Sequence, residues 1–122
     1  MALACLGEIK SRVKGHHVYE YNYKVNEELK CFLQPDNNYS NNAIVVKSKD
    51  VVVGHIPEAL AEKLFPLMKR WKLYQIKATI TGEKRRAPEG TWVLGGGIEL
   101  PCTYHLYGPK IHKCIVRNSL KK

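Results

Sequence analysis

Two runs of mostly β-branched residues, Ala43-Ile44-Val45-Val46-Lys47 and Val51-Val52-Val53-Gly54-His55-Ile56, are separated only by Ser48-Lys49-Asp50. So short a gap holds a turn and not a crossover, which makes the pair an antiparallel hairpin. The polar segment Asp36-Asn37-Asn38-Tyr39-Ser40-Asn41-Asn42 feeds the first run. Pro57 follows the second, at a position where proline suits the first turn of a helix. Polar side chains gathered on a loop between strands are well placed to position a ligand, because a rigid sheet holds the loop in place.

The rest of the chain extends this β-rich pattern. Tyr19, Tyr21, Tyr23 and Val25 alternate with polar or basic neighbours, which predicts a half-buried strand. Asn26-Glu27-Glu28 reads as a turn, Leu29 to Leu33 as the returning strand, and Gln34-Pro35-Asp36 as its end. Ala59, Leu60, Leu64, Leu67 and Met68 carry helical spacing over 57–70, and Pro66 should kink or split that helix. Tyr74, Ile76, Ala78 and Ile80 alternate as a strand. Gly82 to Gly97 is irregular, with Lys84-Arg85-Arg86 read as a hairpin tip. Ile98 to Tyr107 forms the last strand, where Pro101 is tolerated only at an edge, a bulge or a start. The expected fold is mainly β: a barrel of the OB or SH3-like kind, with one kinked or split helix after the fourth strand. Residues 1–11 read as a lead-in, 12–108 as the domain and 109–122 as a basic tail.

Charge and cysteines narrow the function. The chain has 122 residues, with 20 Lys and Arg against 11 Asp and Glu, a formal charge of +9. A single basic domain favours polyanions as partners. No apolar run approaches the roughly 18 residues of a membrane span. Cys5, Cys31, Cys102 and Cys114 offer no C-x-x-C pair and read as reduced intracellular thiols. Catalysis has little to stand on, and no enzyme, cofactor or metal is expected. Gly95-Gly96-Gly97 lacks the Lys-Ser or Lys-Thr of a phosphate loop. His16-His17 lacks a spaced third ligand, and a nuclease would need a carboxylate cluster for metals. Cys31 with His55 could be drawn as nucleophile and base, but a chain with four Cys and five His offers many such pairs. Tyr39 in its polar loop, and Trp92 near Lys84-Arg85-Arg86, suit base stacking along a single strand. Lys69-Arg70-Trp71-Lys72 has the same composition, but Trp71 at a helix end is assigned to the core.

Asn37-Asn38-Tyr39-Ser40-Asn41-Asn42-Ala43-Ile44, then Val53-Gly54-His55-Ile56-Pro57 with Ala61 and Leu64, resembles the HIRAN domain. Gly15 to Tyr19 and Tyr104-His105-Leu106-Tyr107-Gly108 also fit, so the resemblance spans roughly residues 12–108. It implies an OB-like barrel that captures the free 3′-OH end of single-stranded DNA, within a larger nuclear protein carrying a helicase or translocase active at replication forks or in DNA repair. On this resemblance Tyr39 stacks the end base, Asn37 makes a polar loop contact, and His55 meets phosphate. His17 stands where an arginine is common, and Val18 where a second aromatic sits, beside Tyr19. Ser40 replaces the aspartate that grips the hydroxyl. Glu58 stands near a lysine position, and Ile98 where a further aromatic stacks, a role Trp92 could fill. These departures carry the alternative reading, a protein-interaction or recruitment module that has kept the fold and lost the end site.

Overall fold

In the computed structural model, which describes residues 3–14, 24–34, 42–83, 85–86 and 98–120, seven strands and two helices succeed one another. They are β1 (Ala4–Lys14), β2 (Glu28–Leu33), β3 (Ile44–Ser48), β4 (Val51–His55), α1 (Glu58–Lys69), β5 (Gln75–Ile80), β6 (Arg85–Arg86), β7 (Ile98–Gly108) and α2 (Lys113–Leu120). A short 3-10 turn, Lys110–His112, precedes α2.

The hairpin dictated by the sequence is β3–β4. Ser48 pairs with Val51, so its turn is only Lys49-Asp50, one residue tighter than the spacing suggests. Lys49 has φ 56°, and Asp50 is not in the positive-φ region. A positive φ in so tight a turn matches the twist of the flanking strands. β5 owes its clarity to strict alternation: Ile76, Ala78 and Ile80 are fully buried, with Gln75, Lys77 and Thr79 between them on the outer face.

The strands form one antiparallel sheet in the order β1-β4-β3-β2-β5-β7-β6, with a further β1–β7 pairing. The expected OB- or SH3-like barrel is therefore corrected to a seven-stranded sheet, while the helix expected after the fourth strand is α1, with α2 as a second one. Among the described residues β1 runs ten residue pairs against β7 and meets β4 through the pair Lys14↔His55. The mainly β character holds, and α1 continues through Pro66 as one element with no split. Pro66 has no N–H to give the carbonyl four residues back, which is the local cause of a kink there.

Residues 4–11, read as a lead-in, belong to β1, and residues 113–120 of the basic tail form α2. Val116 of α2 is fully buried and joins the same core as Leu6, Val13, Leu64 and Tyr104. Most of the strand expected over 18–25 lies outside the described residues. Its end is a turn, closed by hydrogen bonds from Asn26 N–H to the Ile80 carbonyl (2.7 Å) and from Ile80 N–H to the Glu27 carbonyl (2.9 Å).

Pro101 sits inside β7, opposite Arg12 of β1. On its other side β5 has already ended at Ile80↔Cys102, and β6 pairs only Glu99 and Ile98. Proline thus occupies the gap between two ladders, where its missing N–H is least needed. Its carbonyl accepts from Thr81 N–H at 3.0 Å.

Cys31 and Cys102 are buried in the core and all four cysteines are free. Burial pushes the Cys102 thiol up to about 12 and the Cys31 thiol further still, so both stay protonated small hydrophobes. That removes Cys31 as a nucleophile.

Candidate nucleic-acid interface

His55 ends β4, and a bulge decides which way it faces. Val46 pairs with Gly54 and Lys47 with Val52, which leaves Val53 as the extra residue. Strict alternation would put His55 on the same side as Val53, whose side chain is fully buried. The bulge breaks that alternation and leaves His55 half-exposed. Its Nε2 lies 2.6 Å from Oε1 of Gln34, the residue just after β2, so that the ring nitrogen donates to the amide oxygen.

Gln34 does a second job. Its N–H donates to the Ala43 carbonyl at 2.9 Å and closes the base of the connection over residues 35–41. Ile56 N–H bonds the Ile44 carbonyl at 3.0 Å and secures the next step of the chain beside it. The backbone thus joins the Gly-His step to the foot of the Asn-rich loop, as the two sequence motifs require.

A third strand reaches the same point. Lys14, the last residue of β1, pairs with His55 of β4 and with Glu99 of β7. Glu99 pairs in turn with Arg85 of β6. Glu99 is 2% exposed, and its carboxylate forms an ion pair with Arg12, Oε2 lying 2.8 Å from Nε. A carboxylate this buried requires a paired cation. Tyr104, fully buried, donates its hydroxyl to the Arg12 carbonyl at 2.6 Å and fixes the backbone behind the ion pair. Its own phenol is held well above its usual pKa, chiefly by burial.

Of the residues singled out by sequence, His55 is described. His17 and Tyr19, Asn37, Tyr39 and Ser40, and Trp92 lie outside the described residues, as do Val18 and Lys84. What is described is where their segments attach: Lys14 before residue 15, Gln34 and Asn42 around 35–41, and Arg86 and Ile98 around 87–97. These anchors meet through Lys14↔His55, Lys14↔Glu99, Arg86↔Ile98 and the Gln34–His55 bond. Sequence reasoning missed Gln34, Lys14 and the Arg12–Glu99 pair, for which the sequence carries no local signal.

Two other expectations are corrected. Arg85-Arg86 are not a hairpin tip but strand β6 paired to β7. Trp71 is not core: it is 70% exposed, at φ 60°, with its ring edge-on to Tyr74 at 5.9 Å. Among the described residues no helix is long and apolar enough to cross a membrane.

The family model of the HIRAN domain matches residues 6–94. The crystal structure of the HIRAN domain of human HLTF is similar at a TM-score of 0.75 and 22% identity, covering 98% of this chain and 90% of that one. The NMR structure of the HLTF HIRAN domain gives 0.71 at 23%, covering 98% and 89%. Its NMR structure in the DNA-bound conformation gives 0.63 at 24%, again covering 98% and 89%. No curated protein matches the sequence.

Proposed function

The chain belongs to the HIRAN domain family, and on that premise we propose that it is a non-enzymatic module that binds single-stranded DNA at a free 3′ end. The observation that carries this reading is the junction at His55, where the Gln34 bond and the Lys14 pairings with His55 and Glu99 bring together one end of each segment bearing a candidate residue. Tyr39 stacks the terminal base, with Tyr19 and Trp92 as further aromatic surfaces, and Asn37 makes a polar contact beside it. His17 and His55 meet phosphates, together with Lys14. Ser40 takes the terminal hydroxyl.

Ser40 sets the balance between affinity and end preference. A neutral hydroxyl bonds the 3′-OH about half as strongly as a carboxylate. One neutral bond contributes about 1 kcal/mol, or roughly fivefold in affinity. General affinity rests instead on the basic surface and on stacking at about 1–3 kcal/mol per base. The domain would serve a larger nuclear DNA-processing protein, with a helicase or translocase as its natural companion.

Fluorescence anisotropy with a short single-stranded oligonucleotide tests this reading. Binding should weaken with salt at a log–log slope of about −2 if three phosphates are contacted. Tyr39→Ala should weaken it at least about fivefold, by the stacking energy of one base, while Cys114→Ala leaves it unchanged. No salt-dependent binding at micromolar protein, or a folded Tyr39→Ala variant that binds like the parent, would refute the assignment.

A further inference from the structure

Cys5, Glu8 and His105 lie on the outer face of the sheet, on β1 and β7, well apart along the sheet from the His55 junction. Their Sγ, carboxylate oxygen and ring nitrogen all lie within 4.8 Å of one another. We propose that these three side chains form a zinc-binding site.

The backbone is built so that they converge. Residues 5 and 8 are an odd number of positions apart, so a regular strand would point them to opposite faces. β1 has a register shift between Cys5 and Gly7: Cys5 pairs with Tyr107 and Gly7 with Leu106. Leu6 is the extra residue, and its side chain is buried in the core at 2% exposure. The bulge therefore turns Cys5 outward, onto the face that carries Glu8, and Glu8 pairs directly with His105.

The ligand chemistry fits zinc. Thiolate, imidazole and carboxylate are the donors zinc takes, and three protein ligands with water in the fourth position is a common arrangement. In a tetrahedral site neighbouring donor atoms stand about 3.3–3.8 Å apart, from the usual bond lengths. His105 Nδ1 and Glu8 Oε1 already lie 3.3 Å apart. Sγ of Cys5 donates to the Gly7 carbonyl at 3.6 Å, a weak contact that a metal would replace. Zinc binding releases the thiol proton to solvent and leaves a Zn–S bond, with no change of oxidation state.

A support behind the histidine completes the site. Nε2 of His105 lies 3.1 Å from Oγ1 of Thr79 on β5. With Nε2–H donating to that hydroxyl, Nδ1 presents its lone pair toward Glu8 and Cys5, the orientation a metal needs. Lys113 and Arg117 of α2 line the groove that holds Cys5 and Glu8.

The test is a titration of the reduced, untagged chain with Co²⁺ as a spectroscopic probe, followed by displacement with Zn²⁺. The expected result is one equivalent with a thiolate-to-cobalt charge-transfer band, bleached by Zn²⁺. Cys5→Ser should abolish the band, and Thr79→Val should weaken Zn²⁺ by about 10-fold. Cys114→Ser should change neither. Circular dichroism of each variant keeps loss of fold apart from loss of ligand. Absence of the charge-transfer band, or its persistence in Cys5→Ser, overturns the site and leaves Glu8–His105 as a surface contact.

Discussion

His55 shows how little of a site a single residue name conveys. The Gly-His step was legible because its residues are contiguous, but its orientation depends on a bulge at Val53 and on Gln34. Gln34→Leu should lower stability by about 1 kcal/mol, the net value of one hydrogen bond, and weaken oligonucleotide binding in the same variant. Ser40→Asp should widen the preference for a free over a 3′-phosphorylated end by a further fivefold or so, since a charge-assisted bond is about twice as strong. An unchanged ratio would take Ser40 out of the end site. The buried thiols make a separate prediction. Alkylation of the native protein should add two labels, at the exposed Cys5 and Cys114, and all four cysteines should react only after unfolding. Intact-mass measurement counts them. Both buried thiols stay protonated in the native state while the unfolded chain ionises near 9, so the native state holds more protons above that pH. Stability is therefore intact below about pH 8 and should fall from pH 9 toward 12 by about 1.4 kcal/mol per unit for each thiol. Cys102→Ala should make the decline shallower in urea titrations repeated at several pH values.

At the scale of elements, legibility followed regularity. β5 was readable because Ile76, Ala78 and Ile80 alternate without a break. β1 was not, because the bulge at Leu6 puts Leu6 and Val13 out of step, and an 11-residue strand looked like a lead-in. α2 was hidden by its basic surface, although Val116 and Leu120 stand one helical turn apart on the core side. Val116→Ala should cost about 2 kcal/mol, which chemical denaturation would register; a negligible change would mean α2 contributes little to the core. Replacing Lys49, held at φ 56° in the β3–β4 turn, by glycine should stabilise the protein by about 1 kcal/mol, because glycine adopts a positive φ without steric cost. Trp71 was misplaced for a related reason. A tryptophan after a helix suggests packing, yet the chain turns through the left-handed region there and its N–H caps the Met68 carbonyl at 3.2 Å, which carries the ring outward.

For the whole molecule, the +9 charge indicated a polyanion partner, and the fold shows where the segments carrying the candidate residues attach. The sequence could not reveal that β1, β4, β6 and β7 meet at Lys14, His55 and Glu99, because those contacts join residues up to 85 positions apart. Nor could it reveal the Cys5–Glu8–His105 group, whose members are close only through the β1–β7 register. The two sites make opposite demands, one on anions and one on a cation, and they occupy different parts of β1. Residue-resolved NMR during titration with a single-stranded oligonucleotide bearing a free 3′ end tests the DNA site most directly. The amides of Lys14, Gln34 and His55 should shift with saturation, while those of Cys5, Glu8 and His105 stay in place. Saturable shifts centred on the Cys5 face or on Trp71, with Gln34 and His55 unmoved, would contradict the account.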